Sequence, residues 1–128
     1  MTDSILTSIK KLLNLTEDYE YFDTDIMIHI NSVFATLHQL GVGPTEPFKI
    51  TSKEQVWSDF IQDNNKIESV KTYVYLKVRL LFDPPTGSAA DAFLQQANEY
   101  EWRLNAAADD WNEPIDEGGE DDETTDDG

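Results

Sequence analysis

A chain of 128 residues with a formal charge of −17 and 39% hydrophobic residues is sized for one domain with a real but modest core. It has no cysteine, which excludes disulfides, thiolate nucleophiles and cysteine-based zinc sites and fits a reducing compartment. No apolar stretch approaches the roughly 20 residues of a membrane span, and the net acidity disfavours binding to a nucleic-acid backbone.

The N-terminus, "MTDSILTSIKKLLNL", has no basic leader ahead of a long apolar core, so no secretory signal is expected. The Asn14-Leu15-Thr16 triplet then reads as a chance match to a glycosylation acceptor. The first predicted helix is short. Asp3 or Ser4 can cap it, and Ile5, Ile9, Leu12 and Leu13 make one apolar face. A turn with aromatic residues comes next, from Asn14 to Phe22. The second helix is predicted from Asp23 or Thr24, with Ile26, Ile30, Val33 and Leu37 as its stripe and Phe34 and Leu40 alongside. Gly41 ends it, and Pro44 comes soon after. "GVGPTEPFKI" is a loop with room for a short extended piece at Phe48–Thr51. In the third helix Ser52 and Gln55 fit a capping box, and Val56, Trp57, Phe60 and Ile61 form the apolar face.

The fourth segment carries the most apolar run of the chain, "YLKVRLLFDPP", with Lys77 and Arg79 inside it. Asn65 with Glu68 has the spacing of a capping box, which starts a helix at Lys66; Asp83-Pro84-Pro85 stops it, because residues before proline avoid the helical region. The same residues also alternate as a strand would, with Val74, Leu76, Val78 and Leu80 on one side. The cap, the length and the helical neighbours favour a helix. At about 100° per residue, Val70, Tyr73, Val74, Leu76, Val78, Leu80, Leu81 and Phe82 cover most of its circumference. Such a helix is central to its bundle or also meets another chain. Lys77 falls within the apolar arc, near Val70, Tyr73 and Leu81; Arg79 lies opposite, with Thr72 and Asp83. Either Lys77 lays its methylenes on the apolar surface and reaches water, or Lys77 or Arg79 meets a carboxylate of a neighbouring subunit.

The fifth helix is predicted over Ser88–Ala107, with Phe93, Ala97, Tyr100 and Leu104 on one face and Trp102 and Arg103 pointing elsewhere. An outward tryptophan beside an arginine suits a contact site and equally suits packing against a loop. From Asp109 to Gly128 there are 11 acidic residues and no Lys or Arg, whereas residues 1–108 hold 15 acidic and 9 basic ones. The expected organisation is therefore a helical domain over 1–108 and an acidic tail over 109–128, whose composition predicts disorder in isolation.

Nothing in the chain forms a catalytic constellation. His29 and His38, the only histidines, are nine residues apart on one helix and so on opposite faces. "GVG" at Gly41–Gly43 lacks the Lys-Ser/Thr of a phosphate loop and ends a helix instead of starting one. There is no Gly-x-Ser-x-Gly elbow, and the acidic tail lacks the spacing of a calcium loop. No enzymatic activity, cofactor or metal is expected.

Three stretches, "INSVFATLHQLGVGP" (Ile30 to Pro44), "VKTYVYLKVRLLFDPPTGS" (Val70 to Ser88) and "EYEWRLN" (Glu99 to Asn105), resemble the head–tail connector proteins of tailed bacteriophages, particularly long-tailed phages of Gram-positive hosts. The similarity covers nearly all of residues 1–108, in order and with similar spacing; the long acidic tail has no counterpart in it. The resemblance implies an all-α bundle of about five helices that assembles as a ring, expected to be twelve-fold, from subunits that can stay monomeric until the portal templates them. Such rings dock on the portal at the capsid vertex, extend the DNA channel, and offer a surface to the stopper or tail-completion protein. The resemblance also implies assembly in the host cytoplasm and residence in the virion neck. DNA would pass without specific binding, and a net-negative wall suits that, since it repels phosphates.

On this reading Lys77, Arg79, Tyr75 and Phe82 are candidates for the subunit interface. Trp102, Arg103, Trp111 and Ile115, around the end of the fifth helix, are candidates for portal docking. The competing reading is an acidic DNA mimic or adaptor that binds a basic partner, on the strength of the charge and the tail.

Overall fold

In the computed structural model, which describes residues 3–108, five helices come one after another: α1 (Ile5–Leu12), α2 (Asp23–Gln39), α3 (Trp57–Phe60), α4 (Asn64–Phe82) and α5 (Ser88–Ala106). Among the described residues there is no strand, only one isolated bridge between Ser4 and Val56. The expected all-α bundle is the observed one. No described helix is long and apolar enough to cross a membrane.

Local signals set most of the boundaries. Ser4 caps α1, its Oγ accepting from the Thr7 amide at 3.2 Å. Asn14, at φ 67°, turns the chain after α1, a left-handed conformation that asparagine tolerates better than most residues. Gly41, at φ 81°, does the same after α2. α4 is capped by Asp63, whose side chain accepts from the Asn65 amide at 3.0 Å. Its start thus lies ahead of the Asn65 cap expected from the Glu68 spacing. It ends where Asp83-Pro84-Pro85 requires.

The third helix departs from expectation. The Ser52–Gln55 pair does make capping bonds: Gln55 Oε1 accepts from the Thr51 and Ser52 amides, and Ser52 Oγ accepts from Glu54. No helix grows from them. The chain instead extends at Gln55 and Val56 to pair with the N-terminal segment, with the Ile5 amide donating to Gln55 O and the Trp57 amide to Asp3 O. Only a single helical turn comes after it, started by Asp59, whose carboxylate accepts from the Val56 amide at 2.9 Å. Tertiary pairing overrides the local signal because it seats Trp57 in the core, where its Nε1 donates to Ser8 Oγ at 2.8 Å.

α4 is the middle of the molecule. α2 packs on one side of it, α5 on another, and α1 touches both α2 and α4. The core gathers Ile5, Ile9, Ile26, Ile30, Phe34, Leu37, Val70, Tyr73, Val74 and Val78. Leu12, expected on the apolar face of α1, is 44% exposed; Leu6 is buried in its place, and the buried face of α1 also takes in Lys10.

The loop between α2 and α3 is held by side chains in place of a sheet. The Asn31 amide pairs with both backbone groups of Ile50, donating to its carbonyl at 2.9 Å and accepting from its N–H at 2.8 Å. Phe48, partly buried, meets Phe34 and Phe60 at centroid distances of 5.0 and 5.3 Å. Gly43, at φ 99°, lies so close to Phe60 that a Cβ would stand 2.4 Å from the ring. Gly43→Ala should therefore destabilise twice over, through backbone strain and through displacement of a core aromatic. A loss of about 2 kcal/mol or more is expected in urea unfolding, set by these two mechanisms; an unchanged midpoint would contradict this packing.

Lys10 is 2% exposed. Its ammonium lies 2.8 Å from Asp23 Oδ1 and donates to the Glu17 carbonyl at 2.9 Å. Asp23 Oδ1 is itself buried and makes no well-aligned hydrogen bond, so the lysine charge is what compensates it. One cation thus fastens the 14–22 turn to both α1 and the start of α2. Asp23→Ala leaves a buried ammonium without its counter-charge and should cost about 3 kcal/mol. Replacing both residues, Lys10→Met with Asp23→Leu, should recover most of that loss in the same denaturant titration.

Candidate assembly surfaces

α4 distributes its residues over two packed sides and two narrow flanks. Val70, Val74 and Val78 are fully buried in the core shared with α1 and α2. Leu76 is 3% exposed yet lies outside that cluster, on the side where α5 packs. Leu80 is half-buried. Leu76→Ala should consequently cost about 2–5 kcal/mol, the range for a buried leucine, and Leu80→Ala distinctly less, as read from thermal melts monitored by circular dichroism.

The four residues expected at a subunit interface do not form one patch. Tyr75, Arg79 and Phe82, spaced i, i+4, i+7, share a stripe of α4, and contacts within the chain engage all three. The Arg79 guanidinium sits 5.3 Å from the centre of the Phe93 ring on α5, a cation–π distance. Its Nε donates to the Asp83 carbonyl at 2.5 Å and its Nη1 to Tyr75 Oη at 3.4 Å. Tyr75 meets Phe93 edge-on at 6.1 Å. Phe82 meets Phe22 at 5.2 Å and His29 at 6.4 Å. Lys77 stands across the helix from this stripe, half-buried, in no ion pair with another described residue. One turn beyond it Leu81 is 52% exposed.

α5 packs on α4. Ala97 and Leu104 are its buried residues, and Tyr73 of α4 donates to Glu101 at 2.8 Å across the seam. Burial, reinforced by the bond to Glu101 and by its charge, pushes the Tyr73 phenol far above the usual tyrosine value. The fold favours the neutral phenol, so its contribution is full below the unfolded pKa of about 10 and is lost as pH rises through the folded value. Alkaline spectrophotometric titration should find Tyr73 un-ionised until the chain unfolds. Ionisation of that residue in the folded protein near the ordinary value would contradict the seam geometry.

Of the residues expected to dock on the portal, Trp102 is 71% exposed and Arg103 is exposed. Arg103 pairs with Glu99 at 2.5 Å and lies 5.7 Å from the Tyr100 ring centre. Leu94, two turns before Trp102, is 49% exposed. Trp111 and Ile115 lie outside the described residues.

Sequence reasoning singled out Lys77 and missed Lys10, the lysine that is buried. The signal was available: Lys10 stands four residues after Leu6 and three before Leu13, inside an apolar stripe. Among the described residues no cluster of His, Asp or Glu could hold a metal ion, and His29 and His38 do not meet.

The chain belongs to the phage connector protein family: the model of that family, described as "Phage connector protein", matches residues 5–110, from the first residue of α1 to just past the end of α5. This is a family of bacteriophage head–tail connectors, structural proteins of the neck. No curated protein and no solved structure matches the chain significantly.

Proposed function

We propose that this chain is a ring-forming subunit of the phage neck, twelve to a ring, that docks on the portal, extends the DNA channel and presents its far side to the stopper or tail-completion protein. The observation that carries this reading is the family match over residues 5–110. The protein works by shape and surface, without a reaction, and isolated subunits stay monomeric until the portal templates the ring.

Two uncovered surfaces suit the assembly. The first is the Lys77–Leu81 flank of α4, where a cation in no ion pair with another described residue adjoins an exposed leucine. A carboxylate of the neighbouring subunit is its natural complement, while Tyr75, Arg79 and Phe82 border the interface from the opposite flank. The second is the outer face of α5, where Leu94 and Trp102 are exposed and Arg103 adjoins them. Aromatics and arginine are the residues most apt to anchor an interface. This face is the one we assign to the portal, together with Trp111 and Ile115, which lie outside the described residues.

Co-sedimentation with purified portal assemblies tests both surfaces. Lys77→Glu should leave the monomer folded and yet prevent full rings on the portal; equal loss of stability and assembly would make Lys77 an intramolecular contact. Trp102→Ala should change unfolding stability by less than about 1 kcal/mol, as for a surface site, while portal binding falls sharply. Undiminished binding by that variant would remove the α5 face from the portal contact.

A further inference from the structure

The turn between α1 and α2 is an anchored knob with exposed aromatic rings. Lys10 ties it down from beneath, donating to the Glu17 carbonyl at 2.9 Å and pairing with Asp23. Phe22, partly buried, packs on the core and meets Tyr19 and Tyr21 edge-on at centroid distances of 6.0 and 4.9 Å. Tyr19 is nevertheless 47% exposed and Tyr21 79%, the largest exposure of any bulky apolar residue among those described. Two rings held outward on an anchored turn are preorganised for a contact, with little ordering left to do on binding.

Charge is divided between this turn and α4. No Lys or Arg occurs from Leu12 to Phe48, a stretch that holds Glu17, Asp18, Glu20, Asp23, Asp25 and Glu46. Beyond Glu68, α4 holds Lys71, Lys77 and Arg79 and no acidic residue. On the turn's own chain, Lys10 is buried on Asp23, Lys11 lines one open cavity with Glu17, and Arg79 is taken up by Asp83 and the Phe93 ring. Asp18, Glu20 and Lys77 are in no ion pair with another described residue.

The two surfaces lie near the same end of α4 and on different sides of it. Phe22 brings the turn against Phe82, with ring centres 5.2 Å apart. Lys77 stands across the helix from the stripe to which Phe82 belongs, with the exposed Leu81 one turn on. Complementary surfaces on two sides of one subunit make a heterologous contact, the kind that repeats around a ring. We propose that the 17–21 turn of one subunit sits on the Lys77–Leu81 flank of the next: Tyr19 and Tyr21 cover Leu81, and Asp18 and Glu20 supply the carboxylates for Lys77. The proposal rests on the ring reading above and adds to it the element that fills the flank. Tyrosine is among the residues most apt to anchor an interface, and a charge pair beside it fixes the register and rejects misaligned copies. Lys10 then serves assembly as well as folding, because it holds the shape of the knob.

The chain has no cysteine, so introduced thiols decide it by cross-linking. Tyr21→Cys with Leu81→Cys, in full chains assembled on purified portal and treated with a short bis-maleimide, should give a ladder of covalent multimers rising through dimer and trimer to closed rings. Either substitution alone should leave the chains monomeric, because like residues do not meet. No ladder from the double variant, under conditions where the unaltered chain forms rings, would overturn the contact and leave the ring reading intact; no rings from the unaltered chain would overturn both. Covalent dimers from Tyr21→Cys alone would mean a symmetric contact between turns and also overturn it. Charge reversal gives a second reading that needs no cross-link. Asp18→Lys with Glu20→Lys should lower the ring fraction on the portal by about tenfold or more, like charges then standing face to face. Adding Lys77→Glu to the same chain should restore it to near the unaltered level. Failure of Lys77→Glu to rescue, or rescue by Lys49→Glu in its place, would overturn the pairing.

Discussion

The structure depends on one constraint: α4 must be covered on two sides. Val70, Tyr73, Val74 and Val78 are buried without measurable exposure, and Leu76 is 3% exposed on the side away from the main cluster. An ordinary surface helix buries one stripe and shows the rest to water. α4 cannot, so the chain supplies α2 and α1 for one side and α5 for the other. The order of the helices reflects this need. α2 precedes α4 and runs back along it, with Phe22 at its start meeting Phe82 at the other's end. α5 returns after the Pro84-Pro85 stop and lies along the side that α2 leaves open.

The two coverings differ in strength. α2 contributes five buried side chains, Ile26, Ile30, Val33, Phe34 and Leu37, whereas α5 contributes Ala97 and Leu104. What holds α5 in addition is a row of directional contacts: Tyr73 with Glu101, and Tyr75 and Arg79 with Phe93. Helices held by few buried contacts open at lower free energy than the core. α5 rests chiefly on α4, through these two side chains and this row of contacts. It also leaves Leu94 and Trp102 exposed. The 14–22 turn and the 41–56 loop are each fastened by a polar side chain, the first of them buried. Lys10 holds the first and Asn31 the second.

Much of this was legible in the sequence, and the failures have a common cause. The five helices, the Pro84-Pro85 stop, the α2 stripe and the Ser4 cap are local signals, each contained within one or two turns of chain. Helix rather than strand for "VYLKVRLL" was settled by the same signals. What local pattern could not supply was the pairing of distant segments. The Ser52–Gln55 box forms its bonds, yet α3 is cut to four residues because Ser4 and Val56 pair. Leu12 and Leu6 exchange places for a related reason: which side of a short helix is buried depends on what packs against it, and periodicity fixes that direction only to within a residue or two. Lys77 drew attention because it interrupts a long apolar run. Lys10 has the stronger environment, but its significance lies in Asp23 and Glu17, which only the folded turn brings within 3 Å.

The placement of the cations also bears on what a DNA channel made of such subunits would present. Residues 1–108 contain 9 Lys and Arg against 15 Asp and Glu. Lys10 is spent inside the fold on Asp23, and Arg79 and Arg103 are bound to Asp83 and Glu99, each four residues away along the chain. A cation paired within its own chain offers little to a passing phosphate, because neutralising that phosphate would require leaving the carboxylate it already has. DNA affinity of the non-specific kind grows with the number of phosphates that free cations can neutralise. Intramolecular pairing therefore lowers that affinity further than the net charge alone would. In the proposed ring the same balance would repeat with every subunit around the channel: excess carboxylates would keep the duplex at a distance, and three of each subunit's nine cations are already paired. On the proposed reading, exposed apolar residues such as Leu81, Leu94 and Trp102 would face protein neighbours and not DNA.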